Sequence, residues 1–186
     1  AFLDPVFRLL PEVKVPEVKP DIKKRLIWTA VVLVIFYIMG NISLLGLQAS
    51  KAGELEQLQL ILASDIGTLI TVGIGPIVLA SIILQLLVGG GLLNIDLTNP
   101  AEKARFTSLQ KLFAIVLSFF EAGVYVFSGF LTPAPGMEIF VILQIGLGAI
   151  ILLYLDEVVS KYGIGSGIGL FIAGGVAGAV FWRIFN

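Results

Sequence analysis

Asp65-Ile66-Gly67-Thr68-Leu69-Ile70-Thr71-Val72-Gly73-Ile74-Gly75-Pro76 is the stretch on which the fold turns, and no charge follows it until Asp96. Just upstream, Leu55, Leu58 and Leu62 share one helical face with Ile61 beside them, while Glu54, Glu56, Gln57 and Gln59 are polar. This amphipathic piece, residues 54–65, would be about 18 Å long as a helix, too short to cross a hydrocarbon core of about 30 Å. Asp65-Ile66-Gly67 ends it. The β-branched residues and glycines from Thr68 to Gly75 weaken a helix, and Pro76 suits the first turn of a new one. The spacing predicts a short half-helix on the outer side, a non-helical crossing, then a full helix returning inward, the last two over residues 66–94. Backbone that leaves helical geometry at membrane depth is tolerated only where it is buried in protein or lines a water-filled cavity. The segment is therefore expected to line a pathway or a binding site.

Composition supports a membrane setting for this stretch. Of 186 residues, 58% are hydrophobic and 13% charged, against about 45–50% and about 25% in soluble chains. Too few polar groups remain to cover a soluble domain of this size. The formal net charge of −1 carries no basic excess that would point to nucleic acid. The chain has no Cys and no His, which excludes a disulfide framework, a zinc site of the usual ligands, a Cys nucleophile and every His-based triad. No cofactor is expected.

Charge-free runs extend the pattern to both sides. Residues 26–50, 66–95 and 162–182 carry no charge, Glu121 is alone between Lys111 and Glu138, and none lies between Glu138 and Asp156. A crossing helix needs roughly 20 apolar residues. Five spans fit: 26–47, 66–94 with its helix from Pro76, 106–130, 138–155 and 164–185. The runs are apolar on all sides, whereas barrel strands alternate over about ten positions, so strands are set aside. The expected class is all-α and polytopic, with five transmembrane helices and one short half-helix.

Lys and Arg set the orientation. Arg8, Lys14, Lys19, Lys23, Lys24 and Arg25 precede the first span, Lys103, Arg105 and Lys111 flank the third, and Lys161 follows the fourth. The alternate links hold only Lys51. The N-terminus is therefore expected in the cytoplasm of a multi-pass protein of the cell membrane. Trp28, Tyr154, Tyr162 and Trp182 stand near span ends as interfacial aromatics.

Residues 1–25 read as a cytoplasmic arm. Phe2, Leu3, Val6, Phe7 and Leu10 lie on one side of a short helix, with Asp4 and Pro5 suited to its cap and first position. Pro11, Pro16 and Pro20 force an extended stretch, and Asp21 can cap the first membrane helix. The first apolar run is far longer than a signal-peptide core of 7–15 residues and reads as an anchor. The arm packs on the cytoplasmic face or carries a partner-binding motif.

The fifth span opens on Gly163-Ile164-Gly165-Ser166-Gly167-Ile168-Gly169. Ile168 stands where a dinucleotide fingerprint needs glycine, and no strand precedes it. Two readings remain. Gly163/Gly167, Gly165/Gly169 and Gly174/Gly178 form small-xxx-small pairs for close helix approach; alternatively, Ile164, Ile168 and Ile172 form an apolar stripe facing something other than lipid.

Three runs carry a resemblance: residues 67–78, Gln85-Leu86-Leu87-Val88-Gly89, and 154–172. With the Leu10-Pro11-Glu12-Val13 arm, they resemble the archaeal SecY family, the large subunit of a protein-conducting channel. The likeness covers essentially the whole chain but only the first half of the family's ten-helix inverted-repeat channel. The chain also lacks an initiator Met, so a fragment, or a channel described in pieces, is expected.

The resemblance implies roles for particular residues. Residues 54–65 match the plug that blocks the resting pore from outside, with Leu55, Leu58, Ile61, Leu62, Ser64 and Asp65. Ile74 and Val78, with Ile168 and Ile172, match an apolar pore ring whose other members lie in the second half. Leu79, Gln85 and Glu121 match one wall of a lateral gate through which apolar segments pass to membrane lipid. Leu79 stands where a close relative has Thr. A carboxylate such as Glu121 costs about 2.5–3.5 kcal/mol at a helix centre and needs a partner or water; packing in protonated form against another helix is the alternative. The implied partners are SecE-type and small beta-type channel subunits, the C-terminal half, a translocating polypeptide, and a ribosome or another driving partner. No nucleotide-binding loop is present to supply energy.

Two other classes fit the sequence less well. Half of a secondary transporter would also break helices near the midplane, but Glu121 is the one deep ionisable group. An intramembrane enzyme needs a nucleophile and base or a metal, and neither a Ser–Lys nor a carboxylate pair shows the spacing.

Overall fold

The computed structural model describes residues 10–18, 20–50, 61 and 63–185, without the side chains of residues 49, 50, 182 and 183. The expected helix of the arm, including Asp4 and Pro5, and the plug positions Leu55, Leu58 and Leu62 lie outside the described residues.

Helix α1 covers Ile22–Asn41. The Asp21 carboxylate accepts the Ile22 N–H at 2.8 Å, placing the cap where the sequence puts it. The expected span reached residue 47, but the helix stops at Asn41. Beyond it the backbone bonds to the crossing instead: Leu44 N–H donates to the Gly67 carbonyl at 2.9 Å and Leu69 N–H to that of Ile42 at 3.1 Å. Strand β1 (Leu47–Ser50) then pairs antiparallel with β2 (Leu131–Pro133), with Ser50 opposite Leu131. Setting strands aside therefore needs one correction. Short ribbons between spans leave no apolar periodicity to read.

Helix α2 covers Gly75–Gly89 with Pro76 in its first turn. It ends at the Gly89-Gly90-Gly91 run rather than at Asn94, Gly91 having φ +72°. Asp96 and Thr98 shape the following link: Thr98 Oγ1 and N–H donate to Asp96 Oδ1 at 2.6 and 2.9 Å, which holds the Asp96 carboxyl below its ordinary value. Helix α3 (Pro100–Phe127) starts ahead of residue 106 because Asn99 caps it, accepting the Ala101 N–H at 3.0 Å. Helix α4 covers Glu138–Tyr162 and passes residue 155, while α5 covers Gly167–Phe185 and starts after the Gly163–Ser166 link.

Helix α4 is the hub. It packs against α1, α3 and α5, and α2 packs on α3. Val141, Ile145, Leu152 and Val159 of α4 are fully buried. By length and composition, α3 and α4 are apolar enough to cross a membrane. Large apolar side chains such as Leu86, Phe120, Phe127, Leu147 and Phe181 stay exposed on the outside of the bundle. A lipid-facing surface has no need to hide them.

Candidate functional site

The crossing over residues 66–74 is a series of turns, not a helix. Its carbonyls and amides close on one another: Thr68 N–H donates to Asp65, Thr71 to Thr68, Gly73 to Ile70 and Gly75 to Val72, at 2.9–3.3 Å. Thr71, fully buried, adds its hydroxyl, which accepts the Gly67 N–H at 3.2 Å. Gly67 and Gly73 take φ of +101° and +54°, angles that a side chain would disfavour. Such closure removes the cost of unpaired polar backbone in an apolar setting. Its bonds to Ile42 and Leu44 tie it to the end of α1.

On the far side α4 holds the crossing. A Cβ at Gly148 would lie 1.9 Å from the Leu69 carbonyl oxygen, so the backbone of the crossing rests on α4. Gln144 clamps the neighbouring strand approach, accepting the Leu45 N–H at 3.0 Å and donating to the Leu45 carbonyl at 2.9 Å. This clamp is absent from the sequence expectations. A lone amide in an otherwise apolar run was the available signal.

The four expected ring residues come together. Ile74, 1% exposed, sits at the start of α2 within one apolar cluster with Val32, Phe36, Leu152 and Phe171. Val78 from α2 and Ile168 and Ile172 from α5 pack against it. Residues nearly a hundred positions apart thus share one apolar surface. Ile164 does not join it and is exposed. Both readings of the glycines therefore hold in part. Gly174 and Gly178 receive Tyr37 of α1, whose hydroxyl donates to the Gly174 carbonyl at 2.5 Å, Gly163 comes against Thr29 of α1 and Gly167 against Asp156 of α4; nothing comes within 4 Å of a Cβ built at Gly165 or Gly169.

Of the described plug positions, Ile61 and Asp65 are exposed and Ser64 is half-buried. Ala63 between them is buried in the same apolar cluster as Ile74, with φ +46°. The segment's end therefore lies against the apolar surface, near Gly175 of α5.

Leu79, Gln85 and Glu121 are not joined by hydrogen bonds among the described residues. Leu79 is exposed, and Gln85 Nε2 donates to Ser81 Oγ within α2 at 3.0 Å. Glu121 is half-buried on α3, with no hydrogen bond or ion pair among the described residues. No group of three or more potential metal ligands occurs among them either.

Comparison with known proteins fits this geometry. The SecY family model matches residues 68–186. Protein translocase subunit SecY of Methanothermobacter thermautotrophicus is 47% identical over 184 residues, covering 98% of this chain and 40% of the relative. That of Methanocaldococcus jannaschii is 50% identical over 180 residues, covering 96% and 41%. A solved structure described as a protein conducting channel superposes with a TM-score of 0.85 at 48% identity, covering 96% of this chain and 42% of the other. Sec61 in a canine ribosome–channel complex gives the same values. The chain spans about 40% of the length of the curated relatives it matches. These relatives are translocase and channel proteins, which does not favour the transporter alternative. The match over nearly the whole of this chain, the identity and the shared helical arrangement have one explanation: the chain belongs to the SecY family.

Proposed function

We propose that this chain forms the N-terminal half of the pore-forming subunit of a protein translocation channel. Unfolded secretory polypeptides pass through the channel, and apolar segments leave sideways into lipid. The carrying observation is the convergence of Ile74, Val78, Ile168 and Ile172 on one apolar cluster beside a non-helical crossing. A narrow apolar collar resists ions, because an ion entering it loses hydration with no polar replacement. A polypeptide slides past, since the collar offers no side chain that would bind it tightly.

In this reading all five helices span the membrane, with the N-terminus and the links before α3 and α5 in the cytoplasm. Residues 54–65 form the plug, and the burial of Ala63 supports a seated position for it. Leu79, Gln85 and Glu121 belong to the gate wall, on helices α2 and α3, whose exposed residues Ile82, Leu86, Val116 and Phe120 present an apolar exterior to lipid or to the other half. The second half of the channel, SecE-type and small beta-type subunits and a ribosome or another driving partner complete the machine. A ribosome complex of a 48% identical relative supports the last of these.

Cross-linking tests the passage. In the full channel, Ile74→Cys is expected to capture a stalled secretory chain carrying a single cysteine, while Ile139→Cys, exposed at the start of α4, is not. Adducts absent at Ile74, with the channel assembled, would refute the pore assignment.

A further inference from the structure

We propose that Asp156 is a positioning residue for the apolar ring: reaching from α4, its carboxylate holds the start of α5 and so determines where Ile168 and Ile172 stand. The inference rests on the pore reading and names what keeps half of that ring in register.

Asp156 Oδ1 accepts the Ile168 N–H at 3.0 Å. Ile168 lies in the first turn of α5, where amides have no carbonyl of their own helix to reach. Helices usually meet that need with a residue just ahead of the first turn. Ser166 does this for the Gly169 N–H, its Oγ accepting at 3.5 Å, whereas the acceptor for the Ile168 N–H comes from a neighbouring helix, so that bond joins two elements. A carboxylate at this end is also favoured by the aligned peptide dipoles.

Gly167 permits the approach. A Cβ there would stand 2.4 Å from Asp156 Oδ1 and 2.5 Å from its Cα, closer than any side chain can come. On the other side of the link, Thr29 Oγ1 of α1 donates to the Arg25 carbonyl at 2.8 Å and accepts the Ile164 N–H at 3.0 Å. The Gly163–Ser166 link is therefore fixed to α1 before it and to α4 after it. Ile168 and Ile172 are one helical turn apart, so a shift at the start of α5 displaces both from Ile74 together.

The test is resting ion conductance of the assembled full-length channel in planar bilayers. Asp156→Ala removes the acceptor and is expected to raise conductance about tenfold, equivalent to about 1.4 kcal/mol of lost preference for the sealed arrangement. Asp156→Asn keeps an acceptor oxygen in the same place and is expected to stay near the parent value. Thr29→Val, which removes the second anchor, serves as an independent variant should Asp156→Ala fail to assemble; it is expected to leak, and Thr29→Ser to restore the seal. Ile74→Ser and Ile168→Ser separate the two claims. Leak in these ring variants but not in Asp156→Ala or Thr29→Val would overturn the positioning role alone. Tight ring variants would remove the pore reading and this inference with it. Equal leak in Asp156→Asn and Asp156→Ala would also overturn it, because the hydrogen bond would then not be the cause.

Discussion

Gly148 shows how one missing side chain can place a non-helical segment far away in the chain. Its α-hydrogens face the Leu69 carbonyl, and a methyl group there would come within 1.9 Å of the oxygen and 2.8 Å of the carbonyl carbon. A flexible side chain could rotate aside, but this backbone is held by its own turns and by Ile42. Gly148→Ala is expected to destabilise the protein by about 3 kcal/mol, the upper part of the range for overpacking. Gly123→Ala in α3 is the control, since its Cβ would meet only the Phe127 ring edge at 3.9 Å. It should be neutral or slightly stabilising, because alanine favours a helix by about 1 kcal/mol over glycine. Thermal unfolding in detergent measures both. Gly67 and Gly73 announce a break by their spacing alone, whereas the need for Gly148 depends on a partner far away in the chain.

Between elements, α3 and α4 are joined by charge at Lys111 and Glu157. Glu157 accepts from Lys161 at 2.7 Å, one turn along α4, and from Lys111 of α3 at 2.9 Å. The side chains of Lys111 and Glu157 are only 9% and 10% exposed. Lys161 also donates to the Val13 carbonyl and Tyr162 to that of Lys14 at 2.7 Å, so the arm docks on the same end. Glu157→Leu leaves Lys111 buried without its counter-charge, and about 3 kcal/mol of stability is expected to go. Adding Lys111→Met should recover most of it, since removing both charges leaves neither unpaired. Equal unfolding midpoints for the single and double variants would contradict the pairing. In the sequence Lys111 counts as one more basic residue flanking a span. Its partner 46 positions on becomes visible only when α3 lies along α4.

At the level of the molecule, the proposed orientation makes a sharp forecast. This half has no native thiol to compete with an introduced one. A cysteine at exposed Pro135 is expected to react with a membrane-impermeant maleimide on intact cells, and one at exposed Lys103 only after permeabilisation. The reverse pattern would invert the topology. Charge placement carries this forecast without any coordinates, because the cost of moving a charge through hydrocarbon does not depend on how the helices pack. For the same reason the apolar runs, the break between Asp65 and Pro76, the cap at Asp21 and the helix start at Pro76 can be read from the chain itself: each is a local matter of burial, backbone freedom or a missing donor. Packing decided the rest. Where α1 stops, how β1 finds β2, why Gln144 stands in an apolar helix and which isoleucines of α5 meet Ile74 all depend on contacts between segments distant in the chain. No local pattern encodes them, since the same apolar face suits lipid, a neighbouring helix or a pore equally well, and only the assembled bundle distinguishes the three.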